Sequence, residues 1–138
     1  MTLERKRQGT RRRRIKSIST NSAPAAVGPY SQAIEANGFV FCSGQLGLDP
    51  KTGQLAADDV AGQAAQALEN IAVILAAAGS GINKVVKATV FIVDIKEFSS
   101  VNDVYASAFS VPFPARSCVE VSALPKGAKV EIEVVAIL

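Results

Sequence analysis

The chain has 138 residues, 49% hydrophobic and 20% charged, which fits one folded domain with its own core and excludes an intrinsically disordered protein. It contains no histidine, so Ser-His-Asp and Cys-His nucleophile pairs are excluded, and a zinc site is not expected. The formal charge of +3 is unevenly spread: residues 1–16 carry eight basic side chains and one acidic, and the remainder carries seven and eleven.

The N-terminal "MTLERKRQGTRRRRIK" reads as a disordered basic tail over 1–16, ahead of a folded domain over 17–138. Three readings of the tail stand open: a solvated extension, an organelle-targeting remnant, or an RNA-binding or nuclear-import arm. The apolar stretch that a secretory signal needs does not follow it. "IKSIST" (15–20) alternates as a strand does, and "NSAPAAVGPYSQ" (21–32) is a loop rich in Pro, Gly and small residues. A hairpin is expected next, with strands over 32–36 and 39–46 joined at Asn37-Gly38.

Val60, Ala64, Leu68, Ile71, Leu75 and Ala78 recur at spacings of three and four, an amphipathic helix capped by Asp58 or Asp59 and stopped by Gly79. The β-branched "VVKATVFIVDI" (85–95) predicts a central strand. Val101, Tyr105 and Phe109 predict a second helix over 98–109, with Ser99 or Ser100 as its cap. Alternating strands over 115–124 and 129–138 flank the turn "PKG". The order β-β-β-α-β-α-β-β predicts an α+β domain: a mixed sheet of about six strands with two helices on one face. Its other face is left for self-association.

No apolar run reaches the roughly 18 residues of a membrane span, so no membrane partner is expected. Cys42 and Cys118 lie in apolar runs without paired spacing, which predicts reduced thiols and a cytoplasmic protein, with organelle targeting by the Arg-rich N-terminus left open. Phosphate-binding glycine loops and metal-ligand clusters are absent, so neither a metal nor a cofactor is expected.

Catalysis therefore falls to other groups, and Arg116 in "FPARSCVEV" stands out as the only arginine after residue 14. It is either a carboxylate or phosphate clamp or a structural ion-pair partner. Alternation places it on one strand face with Cys118 and Glu120. Glu131 and Glu133 share a face of the last strand, either as solvated side chains or as a general base for water. Tyr30, in a Gly-Pro loop, is either a ligand-stacking group or a loop anchor. Ser43, Gly44 and Asn102 are weaker candidates taken one by one, and the two cysteines read as packing thiols.

Taken together, "APAAVGPYSQA", "FCSGQLGLDPKTG", "QALENIAVILAAAG", "VVKATVFIVDI", "VNDVYASAF" and "PARSCVEVSALPKGAKVEIEVVAI" resemble, in order and spacing, the RidA/YjgF family. Its members are reactive enamine/imine intermediate deaminases, also known as L-PSP endoribonucleases. The resemblance covers residues 17–138 and implies a chorismate-mutase-like fold assembled as a homotrimer, with sites in clefts between subunits. It implies that Arg116 holds the substrate carboxylate, Glu131 positions or activates the hydrolytic water, and Cys118 offers its backbone carbonyl to the imine nitrogen. Tyr30, Ser43, Gly44 and Asn102 would line the same cleft. The implied reaction is metal-free hydrolysis of small 2-imino acids, such as 2-iminobutanoate or 2-iminopropanoate, to 2-oxo acids and ammonia. The alternative is an endoribonuclease or RNA-binding protein. Against that alternative stand the net negative charge beyond residue 16, the missing histidine and an aromatic content of 6%.

Overall fold

The computed structural model describes residues 15–138, so the expected tail, but for Ile15 and Lys16, lies outside the described residues. The elements are β1 (Lys16–Ile18), β2 (Ala33–Ala36), β3 (Phe39–Leu46), α1 (Val60–Ala77), β4 (Val85–Ile92), α2 (Phe98–Ala108), β5 (Ala115–Glu120) and β6 (Val130–Ile137). They form one six-stranded sheet in the order β1-β2-β3-β6-β4-β5. The β4–β5 pair, joined through α2, is parallel, and every other pairing is antiparallel. This is the mixed sheet and α+β architecture expected from the order of elements.

Period-2 alternation assigns the two faces. Val40 and Cys42 on β3, Ala88, Val90 and Ile92 on β4, and Val130, Ile132, Val134 and Ala136 on β6 are buried beneath the helices. Their neighbours Phe39, Phe41, Val119 and Ile137 are 41–47% exposed on the opposite face, which no element among the described residues covers. Helix α1 has the length and apolarity of a membrane span, yet Ala64, Ala67, Leu68, Ile71, Ile74 and Leu75 are buried in the same core as the sheet.

The helix ends follow from local chemistry. Gly79, at φ +82°, closes α1: its N–H donates to Ala76 O (3.0 Å), and that of Ser80 donates to Leu75 O (2.9 Å). Asp59 occupies the N-cap of α1 without a side-chain bond to the backbone. The cap expected for α2 needs correction. Ser99 and Ser100 lie inside the helix, because a 3-10 turn over Ile95–Glu97 starts the chain winding earlier. Asp94 anchors that turn by accepting from the Lys96 N–H at 3.0 Å.

The strands are shorter than their alternation suggested, because pairing partners run out. β1 stops where Ile18 pairs with Ala33, the first residue of β2. β4 stops at Ile92, so β5 loses its neighbour after Glu120 and does not reach residue 124. The turn "PKG" is a 3-10 turn over Pro125–Gly127 with Lys126 at φ +59°.

Candidate functional site

A bulge in β3 shapes the first cavity. Cys42 pairs with Val134 and Gln45 with Ile132, so Ser43 and Gly44 together stand opposite Glu133 alone. The bulge lies against Glu131 on β6. A Cβ on Gly44 would run into the Glu131 carboxylate, so the absence of a side chain at 44 lets that carboxylate lie beside the strand.

Ser43 also ties down the 20–32 loop. Its N–H donates to Gln32 O at 2.9 Å and its hydroxyl to Ser31 O at 2.6 Å. Gln32, buried, organises the loop from inside: its amide donates to Thr20 O (3.1 Å) and Pro24 O (2.8 Å) and accepts from the Thr20 N–H (2.7 Å). Tyr30 is thereby held at the rim with 53% of its surface exposed. The result is a cavity of about 660 Å³ whose lining includes Tyr30, Ser43, Gly44, Lys126, Glu131 and Glu133.

Glu131 is half-buried there, between Leu46 on β3 and Phe91 on β4. Burial raises its carboxyl above the ordinary carboxylate range, and the negative charge of Glu133 raises it further. A carboxylate shifted this way is a better proton acceptor near neutral pH.

Arg116 belongs to a second cavity, of about 410 Å³, lined by Asn102, Tyr105, Ala106, Phe113, Pro114 and Arg116. On β5 it pairs with the buried Ala88, which turns its side chain toward the helical layer. There one terminal guanidinium nitrogen donates to Asn102 Oδ1 at 2.7 Å. Its central carbon lies 4.6 Å from the Tyr105 ring centre and 5.2 Å from that of Phe98. Among the described residues the side-chain hydrogen bond of Arg116 goes to an amide oxygen rather than to a carboxylate.

Cys118 follows on the same face of β5, half-buried against the core. Burial raises its thiol above the ordinary range, opposed by the nearby Arg116 charge. Cys42 is pushed up to about 12 by burial and by Glu133. A thiol raised in this way is a poorer nucleophile than a free one.

One chain thus gathers the expected residues into two groups on opposite sheet faces. Tyr30, Ser43, Gly44 and Glu131 line one cavity, while Asn102 and Arg116 line the other, with Cys118 next to Arg116 on β5. Sequence reasoning missed Gln32, whose burial has no periodic signature in a loop, and the rings of Phe98 and Tyr105, whose helical spacing reads as core.

A family model described as endoribonuclease L-PSP matches residues 20–138. A 2-iminobutanoate/2-iminopropanoate deaminase from Bos taurus is 56% identical over 122 residues, covering 88% of this chain and 89% of the bovine protein. The crystal structure of RidA from Psychrobacter sp. PAMC 21119 superposes with a TM-score of 0.86 at 46% identity, covering 89% of this chain and 99% of that one. That of E. coli TdcF with bound serine gives 0.83 at 42% identity, covering 89% and 98%.

Proposed function

Because the chain belongs to the endoribonuclease L-PSP (RidA/YjgF) family, we propose that it hydrolyses small 2-imino acids to 2-oxo acids and ammonia. Substrates are of the 2-iminobutanoate and 2-iminopropanoate class, and the working form is a homotrimer. The observation that carries the reading is the pair of half-sites, a fixed guanidinium and a proton-accepting carboxylate, in a chain 56% identical to a deaminase of that name.

Arg116 anchors the substrate carboxylate through paired N–H donors, and Asn102 borders that anchor. Glu131 takes a proton from water as the water oxygen bonds to the iminium carbon. The backbone carbonyl of Cys118 accepts from the imine N–H and orients it. Glu131 returns its proton to the amino group of the resulting carbinolamine, which leaves as ammonia, while the carbinol oxygen releases its proton to solvent and closes to the carbonyl. Water enters, ammonia leaves, and no electrons change hands. Ser43, Gly44 and Tyr30 shape the water side of the cleft. Since Arg116 and Glu131 face opposite sides of one sheet, the reading has Arg116 of one copy meet Glu131 of another, which the exposed apolar face favours.

The test couples the purified protein to an enzyme that releases 2-iminobutanoate and follows loss of the imino acid. Arg116→Ala is expected to lower kcat/KM by about 100-fold or more. Equal rates for wild type and variant would overturn the reading.

A second reading, RNA cleavage, rests on the description of the matching family model. It requires ribonuclease activity that survives purification and is lost in Arg116→Ala or Glu131→Gln. Two free thiols among the described residues accord with a reducing, cytoplasmic location.

A further inference from the structure

The side chains that hold Arg116 all come from one face of α2. Phe98, Asn102 and Tyr105 stand at i, i+4 and i+7, which places them in one row along the helix. The guanidinium lies against two aromatic rings and donates to the amide oxygen between them. Tyr105 is itself braced by Phe109, ring centres 4.5 Å apart and tilted by 38°. It is only 4% exposed, so it supports Arg116 from behind.

The Tyr105 hydroxyl, also buried, finds no hydrogen-bond partner among the described residues. An unpaired buried hydroxyl costs free energy rather than supplying it, so what Tyr105 offers Arg116 is its ring. We propose that Phe98 and Tyr105 are positioning residues: they form an aromatic cradle that holds the guanidinium, with Asn102 setting its rotation, so that its free N–H groups stay directed at a carboxylate. A long flexible side chain loses much freedom when it grips a ligand, and a cradle removes that loss before the ligand arrives. This rests on the reading that Arg116 anchors the substrate carboxylate, and it moves Asn102 from substrate contact to partner of Arg116.

The cradle is tested on the full chain by two independent readouts. The first is the Arg116 Nε–H resonance in NMR, assigned by its loss in Arg116→Lys. Ring currents displace it from the position of an arginine that touches no aromatic ring. Tyr105→Leu is expected to return it toward that position, and Tyr105→Phe to leave it in place. The second is the affinity for 2-oxobutanoate. Tyr105→Leu and Phe98→Leu are expected to weaken it about tenfold, with KM for the imino acid rising more than kcat falls, and Tyr105→Phe to restore the wild-type value. Phe98 is only partly buried, so its variant carries the test if Tyr105→Leu does not fold. A folded Phe98→Leu or Tyr105→Leu with unchanged resonance and affinity overturns the proposal. So does a Tyr105→Phe variant as weak as Tyr105→Leu. If the resonance moves as expected but wild type does not bind 2-oxobutanoate, the cradle stands and the carboxylate-anchor reading falls.

Discussion

Arg116 and Glu131 project from opposite faces of one sheet, two strands apart. Arg116 on β5 pairs with Ala88, and Glu131 on β6 pairs with Phe91, while β4 runs between them. Alternation along β4 sends Ala88 under the helices and Phe91 to the uncovered side. If the two act on one substrate, they act from different copies of the chain.

Subunit mixing tests that arrangement. Arg116→Ala and Glu131→Gln are each expected to be inactive when prepared alone. Unfolded together in equal amounts and refolded, they are expected to regain about a quarter of wild-type activity, since one site in four pairs an intact Arg116 with an intact Glu131. No recovery would place the site within one chain.

Gly44 sets the position of Glu131. In Gly44→Ala the new Cβ meets the carboxylate, and Glu131 must swing away. The expected loss is about 10- to 100-fold in kcat, with little change in the circular dichroism spectrum. Steady-state kinetics on a folded variant decides it.

The pH dependence follows from the raised Glu131 carboxyl. As a base it must be ionised, so kcat is expected to rise with pH through a limb above the ordinary carboxylate range. Glu131→Gln should abolish that limb and lower kcat by about 10²–10⁴-fold. Stability runs the other way. A raised folded-state pKa means the native protein holds this proton more tightly than the unfolded chain, so its contribution is present at low pH and is lost as pH rises through the folded value. Melting curves across that range should show Glu131→Gln at least as stable as wild type at neutral pH.

Gln32 holds the loop that carries Tyr30. Gln32→Leu keeps the bulk but strands the Thr20 N–H and two carbonyls. The expected cost is roughly 1–3 kcal/mol in urea unfolding. Proteolysis within 20–32 should quicken.

Much of the architecture was legible in order and period. The span 39–46 after the Asn37-Gly38 turn forms β3 with those limits, and the stripe from Val60 to Leu75 buries as its spacing requires. The ends of β1, β4 and β5 were not legible, because a strand ends where its neighbour ends and the neighbour is remote in sequence. The α2 cap was misplaced for a similar reason: a serine near a helix start is a good local signal, but the Asp94 turn had already begun the winding.

The candidate residues themselves were visible as residue types: a lone arginine after residue 14, a pair of glutamates on one strand face, a tyrosine in a Gly-Pro loop. Alternation even assigned Arg116 and Glu131 to faces of their own strands, since side-chain direction along a strand is a local property. Only the tertiary structure related those faces to each other, because the sheet order β6-β4-β5 and its register bring together residues that no local rule connects. The same holds for the Gly44–Glu131 approach and the stacking of Arg116 on Phe98 and Tyr105. Both depend on where a second element crosses the first, which packing of the whole chain decides.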